Sequence, residues 1–133
     1  MKYLLDTDTF SEMVKGINPK IATRLDSLRT GDAALSVITR GEIAFGVKIH
    51  SLKAPIKARL DRLLDTIETL PLPANAAIYY GELRAHLRRL GKPIGPNDLW
   101  IAAHARALNL ILVTNNTGEF SRVPKLKLEN WIA

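Results

Sequence analysis

The chain opens Met1-Lys2-Tyr3-Leu4-Leu5-Asp6-Thr7-Asp8, and the reading of this stretch decides the fold. Tyr3, Leu4 and Leu5 form a short apolar run of the kind a buried parallel strand shows. The run stops at Asp6, a carboxylate where a strand would leave the core. Thr9-Phe10-Ser11-Glu12 has the pattern of a capping box and predicts a helix. Strand, acid and helix in that order place a charge in the crevice at the carboxyl end of a sheet, where α/β proteins bind ligands.

The same grammar recurs further along. Ala33-Ala34-Leu35-Ser36-Val37 predicts a second short strand, followed by another capping box, Thr39-Arg40-Gly41-Glu42, and a helix bearing Ile43, Phe45, Val47 and Ile49. Between these units, one helix runs from about Phe10 to Lys15 and stops at Gly16. The next begins with Asn18 as cap and Pro19 in the first helical position, carries Ile21, Leu25 and Leu28, and ends at Gly31. Pro55 opens an amphipathic helix to about Glu68, and Leu70-Pro71-Leu72-Pro73 reads as a third strand. Ala76 to Leu90 reads as helix, then Gly91 to Pro96 as a stiff loop, then Asn97 caps a helix from Asp98 to Leu108. Leu110-Ile111-Leu112-Val113-Thr114 is the clearest buried strand. Asn115 to Phe120 reads as a loop and Leu126 to Glu129 as an edge strand. Strands separated by helices, without repeats or linkers, predict one α/β domain over residues 1–133, with a small parallel sheet covered on both faces.

Composition narrows the function. Hydrophobic residues at 47% and charged residues at 24% make a globular chain long enough for a real core. The absence of cysteine excludes disulfide, zinc-thiolate and thiol-nucleophile chemistry. No apolar run reaches the roughly 18 residues of a membrane helix, and Asp6 and Asp8 interrupt any signal-peptide pattern, so a cytoplasmic location is expected. Lys and Arg number 19 against 13 acids, a net charge of +6 that suits a polyanionic partner without requiring one.

Three acids hold comparable places: Asp6 ends a strand, Glu42 lies early in the helix after the second strand, and Asp98 opens the helix after the Gly-Pro loop. Parallel packing predicts all three at one end of the sheet. Clustered carboxylates repel and raise one another's pKa, and a hard divalent cation relieves that cost. Mg²⁺ or Mn²⁺ there could activate water and stabilise an in-line phosphoryl displacement, with the basic surface holding the phosphates of a nucleic acid. Each acid also has a plainer explanation. Glu42 could complete its capping box, and Asp98 could simply suit a helix N-terminus. Asp6 is harder to explain away, because it follows three apolar residues with no cation nearby in sequence. Asn116 and Glu119, after the strongest strand, would face the same crevice or form an ordinary polar turn. Arg84, Arg88, Arg89 and Lys92 precede the loop that carries Asp98 and are the better nucleic-acid contacts. His86 and His104 read as structural or surface residues, and Tyr79, Tyr80 and Trp100 as core or interface.

Four stretches together resemble a known family. Leu4-Leu5-Asp6-Thr7, Thr39-Arg40-Gly41-Glu42, Gly95-Pro96-Asn97-Asp98-Leu99-Trp100-Ile101-Ala102-Ala103-His104-Ala105 and Leu112-Val113-Thr114-Asn115-Asn116-Thr117-Gly118-Glu119-Phe120 look like the PIN-domain ribonuclease toxins of VapC type. The ending Leu128-Glu129-Asn130-Trp131 is similar too. The resemblance implies a three-layer α/β/α sandwich around a small parallel sheet and a Mg²⁺- or Mn²⁺-dependent endoribonuclease, the toxin of a type II toxin–antitoxin system. It implies Asp6, Glu42 and Asp98 as the metal-binding catalytic acids. It also implies an antitoxin whose C-terminal segment covers the groove, a homodimer, and structured RNA such as initiator tRNA as target. Two positions depart from the family pattern: Asp8 stands where Asn is common, and Asn116 where many PIN domains have an acid, so Asp8, Asn116 and Glu119 are supporting positions.

Two other readings remain open at this point. Asp6-Thr7-Asp8 resembles the nucleophile motif of haloacid-dehalogenase phosphatases, but Phe10 and the lack of an evident later Lys and acid pair speak against it. A non-catalytic nucleic-acid-binding module would use the acids only as caps.

Overall fold

Strands and helices alternate along the chain in the computed structural model, which describes all 133 residues. In order they are β1 (Tyr3–Leu5), α1 (Thr7–Lys15), α2 (Pro19–Asp26), β2 (Ala33–Ser36), α3 (Val37–Ile49), α4 (Ala54–Thr66), β3 (Glu68–Leu70), α5 (Ala76–Arg89), α6 (Pro96–Leu108), β4 (Ile111–Val113), α7 (Thr117–Phe120) and β5 (Leu128–Glu129). The sheet order is β3-β2-β1-β4-β5, and every pairing is parallel. Leu5 at the end of β1 stands opposite Leu35 of β2 and Val113 of β4.

The two-residue period of β1 explains why its three side chains are all buried. Leu4 points to one face and joins Leu112, Leu83, Leu87, Leu99 and Ile101, from β4, α5 and α6. Tyr3 and Leu5 point to the other and join Phe10, Met13, Leu35, Leu60 and Trp131. Two separate cores therefore flank the sheet, which makes the three-layer sandwich that the strand–helix alternation predicts.

Helix starts differ from the sequence expectation, and each shift has a local cause. Thr9 does not cap α1; Asp6 does, its Oδ1 accepting the Thr9 backbone N–H at 2.8 Å. Nor does Thr39 cap α3, since Ser36 accepts from the Ile38 N–H at 3.1 Å and Val37 is already helical. An acid or hydroxyl directly at the strand end captures the first free N–H before a later capping box can act. Pro96, with its fixed φ and no N–H, opens α6 two residues before Asp98, with Gly95 as its cap residue. The third strand comes earlier than Leu70–Pro73, because prolines cannot donate to the ladder. Residues 117–120 form a short helix rather than a loop.

Two arginines lock segments together. Gly16 ends α1 at φ +69°, and the Arg59 guanidinium fills the space a Cβ would take there, donating to the Val14 and Lys15 carbonyls at 2.8 Å each. Arg24 of α2 lies over the rings of Tyr3 and Trp131, at 5.6 and 5.4 Å, and donates to Glu129 at 2.8 Å. It ties the first strand to the end of the chain. His104 is structural, as expected: fully buried, its Nδ1 sits 2.8 Å from Ser36 Oγ. Burial holds its pKa below the usual histidine value, outweighing the pull of the Pro71 carbonyl towards protonation. Its Nε2 makes no hydrogen bond of good geometry.

Candidate active site at the switch point of the sheet

The chain leaves β1 towards β2 on one side and returns to β4 on the other, so the order reverses between β1 and β4. In open α/β sheets the crevice at that reversal, beyond the carboxyl ends of the strands, is where ligands bind. Asp6 leaves β1 at that end, and Thr114 leaves β4 beside it.

Asp6 is 3% exposed. Its backbone N–H donates to the Val113 carbonyl at 3.0 Å, which fixes the turn out of the strand. Burial raises its pKa; hydrogen bonds from Thr114 and Thr9 offset part of that rise, and the Asp8 charge adds to it. Glu42 is half-buried on the second turn of α3. Its Oε1 accepts from Thr7 Oγ1 at 2.6 Å, and Thr7 also reaches Thr39 Oγ1 at 3.2 Å. Glu42 is therefore held by the residue next to Asp6, and not by a capping box of its own helix.

Asp98 lies in the first turn of α6, where the helix dipole favours a negative charge. Its pKa is nevertheless raised from 3.8 to about 6: burial comes first, then the charges of Glu119, Glu42, Asp6 and Asp8. Burial and the neighbouring acids outweigh that favour. The same ordering puts Asp98 in the combined field of Glu119, Glu42, Asp6 and Asp8. Glu119 has the largest effect of the four, and Asn116 Nδ2 donates to its Oε2 at 2.6 Å. Asp8 is exposed at the rim.

No cation neutralises this cluster. The salt bridges of the chain are Lys15–Glu12, Arg24–Glu129 and Lys57–Asp61, and none includes a crevice acid. Nor are any three acidic or histidine side chains already drawn around one ion position. The arrangement is an open acidic crevice rather than a closed cage.

Sequence reasoning missed Thr7 and Thr114, whose hydroxyls hold Glu42 and Asp6, and Thr9, whose backbone N–H donates to Asp6. The signal for Thr7 was its place directly after a strand-ending acid. Thr114 had only the fact of ending the strongest strand. Of the basic residues, Arg84 and Arg88 line a cavity beside the first turn of α6, whereas Arg89 and Lys92 are exposed outside it.

A parallel α/β domain with an acidic crevice at its switch point defines a ligand-binding architecture, and comparison with known proteins narrows it. The PIN domain profile matches residues 3–126. Ribonuclease VapC2 of Rickettsia felis is 39% identical over 132 residues, 98% of each chain. The tRNA(fMet)-specific endonuclease VapC of Shigella flexneri is 36% identical over 131 residues, again 98% of each. The crystal structure of VapBC2 from Rickettsia felis bound to a DNA fragment from its promoter matches with a TM-score of 0.89 and 39% identity, over 98% of this chain and 99% of that one. The chain belongs to the PIN-domain family, among the VapC ribonucleases.

Proposed function

We propose that the chain is the toxin of a type II toxin–antitoxin pair and cleaves RNA as a divalent-metal-dependent endoribonuclease. The observation that carries this is an acidic crevice with which no Lys or Arg forms a salt bridge, where burial first and then the neighbouring acids raise the Asp98 pKa to about 6. A partly buried acid cluster without counter-charge fits a hard cation with oxygen ligands. The open arrangement suits Mg²⁺ or Mn²⁺, since Mg²⁺ keeps several waters and takes few carboxylates. Asp6, Glu42 and Asp98 are the proposed ligands, with Asp8, Asn116 and Glu119 in support. When bound, such a cation lowers the pKa of a water and stabilises charge on the phosphate oxygens.

The remaining work falls to side chains of the chain itself. Thr7 fixes the Glu42 carboxylate, Thr9 and Thr114 fix Asp6, and Asn116 orients Glu119. Each such hydrogen bond removes rotamer freedom that would otherwise be lost when substrate binds. The Shigella flexneri relative is named for tRNA(fMet), and the proposed substrate here is likewise structured RNA, with initiator tRNA as the first to test. An apolar groove of about 400 Å³ between α1, α3 and α4, lined by Phe10, Val14, Ile43 and Val47, ends at Thr7 and Glu42. It is the proposed seat of the antitoxin's C-terminal segment, in line with the VapBC complex of Rickettsia felis. A homodimer acting in the cytoplasm completes the proposal; no helix is long and apolar enough to cross a membrane.

Purified wild type, Asp6→Asn and Asp98→Asn are compared on initiator tRNA and total tRNA with Mg²⁺, with Mn²⁺ and with chelator, and new 5′ ends are mapped. Cleavage by wild type alone, lost with chelator, is expected. Cleavage that survives both substitutions refutes the assignment, and cleavage of neither RNA by any protein favours the non-catalytic reading.

A further inference from the structure

Pro96 and Leu99 sit three residues apart on α6 and share one face, while Asp98 points to another. Pro96 and Leu99 line a cavity of about 310 Å³ whose other walls include Ile94, Tyr80, Arg84 and Arg88. The first turn of α6 thus lies between this cavity and the acidic crevice. The volume falls at the small end of the range for ligand pockets, about 300–1,000 Å³.

Arg84 and Arg88, one turn apart on α5, are both exposed, and neither takes part in a salt bridge. Arg84 is held in place: its Nη1 donates to the Tyr80 hydroxyl at 3.0 Å, and its guanidinium lies 5.9 Å over the Tyr80 ring. The other partner of Tyr80 is Trp100, stacked at 3.9 Å between centroids and 17° between planes. Tyr80 is therefore engaged by both Trp100 and Arg84, and its part is to hold Arg84 rather than to receive a base.

We propose that this cavity binds the nucleotide next to the cleaved bond of a single-stranded RNA segment, with Arg84 and Arg88 on its phosphate and the wall of Ile94 and Pro96 against its base. The proposal rests on the nuclease reading above and names the part of the RNA that lies beside the crevice. Charge complementarity selects the occupant: two unpaired guanidiniums suit a phosphate oxyanion, with which Arg forms paired, planar hydrogen bonds. An apolar wall beside them suits the face of a base, as in single-strand binding sites that read no sequence. Tyr80 is a positioning residue for Arg84.

The test uses the full chain in chelator, where binding is measured without cleavage, and a fluorescein-labelled RNA oligouridylate as probe. Arg84→Gln/Arg88→Gln is compared with Arg29→Gln/Arg62→Gln, which removes equal charge from α4 and the loop after α2. Anisotropy should show at least a tenfold loss of affinity in the first variant only. The slope of log affinity against log salt should flatten by about 0.7, the amount for one phosphate on a single strand. Tyr80→Phe should give a smaller loss in the same direction. Equal losses in both double variants overturn the proposal, because charge alone then explains binding. Unchanged RNA affinity with altered self-association by ultracentrifugation also overturns it and assigns the face to a second copy of the chain. Failure of the nuclease reading is separate: it appears as absent cleavage by wild type in Mg²⁺ or Mn²⁺, whatever the anisotropy shows. Circular dichroism of each variant checks the fold.

Discussion

Replacing Asp98 with Asn should stabilise the metal-free protein while abolishing its proposed activity. The folded-state pKa of Asp98 is about 6, raised from 3.8 by burial and by Glu119, Glu42, Asp6 and Asp8. A carboxyl with a raised pKa binds more protons folded than unfolded, so its contribution to stability falls as pH rises from the unfolded value towards the folded one. Well above pH 6 the full penalty applies, about 3 kcal/mol at one pKa unit per 1.36 kcal/mol. Partial exposure and solvent screening reduce this to about 1–3 kcal/mol. Near pH 5 the folded group is mostly protonated and the unfolded one mostly ionised, so roughly half the penalty remains. The variant and wild type are unfolded by urea in chelator at about pH 5 and about pH 8. The expected excess stability of Asp98→Asn is about 1–3 kcal/mol at the higher pH and about half that at the lower. His104 acts in the opposite sense, since its lowered pKa favours the folded state above the unfolded histidine value. Comparing two proteins at the same pH cancels it. Added Mg²⁺ or Mn²⁺ should stabilise wild type and leave the variant nearly unchanged. A variant less stable than wild type at the higher pH, or a difference independent of pH, would refute the claim that Asp98 sits among uncompensated carboxylates.

Other expectations follow from single contacts. Thr7→Val removes the 2.6 Å donor to Glu42; a hydrogen bond to a charged group contributes about 1.5–3 kcal/mol to stability, so Tm should fall by several degrees and kcat/KM for RNA should fall as Glu42 loses its fixed position. Arg24→Ala removes the clamp between Tyr3, Trp131 and Glu129, and urea unfolding followed by Trp131 fluorescence should show a loss of about 1–3 kcal/mol. Ser36→Ala removes both the cap of α3 and the partner of His104 Nδ1, and a loss of about 2–3 kcal/mol is expected by the same measurement. An unchanged midpoint in either variant means that the contact does not bear on stability.

The β1 stretch was legible because three apolar residues followed by an acid allow few other structures. Leu110 to Thr114 was legible for the same reason. What escaped was decided by competition between neighbours. Asp6 and Ser36 reach the first helical N–H groups before Thr9 and Thr39 can, and nothing in a capping-box pattern ranks the rival caps. Residues 117–120 carry too few side chains for a helical period to show. Parallel topology alone was enough to expect Asp6, Glu42 and Asp98 at one end of the sheet. The cohesion of the crevice was not, because Thr7 touches Glu42 across 35 positions of chain and such pairs leave no local mark. Among the basic residues, helical position separated the cavity-lining Arg84 and Arg88 from Arg89, a distinction that needs the neighbouring loop and not only the sequence.

The position of β1 in the middle of the sheet has a consequence for synthesis. The first strand made can pair with β2 early, but its other edge stays open until β4, at Ile111–Val113, has been translated. Asp98 and Glu119 come from the same late part of the chain. A ribosome that stalls halfway therefore yields a fragment with an unpaired edge and only Asp6, Asp8 and Glu42 of the acidic set. The acidic set is complete only once Glu119 has been made.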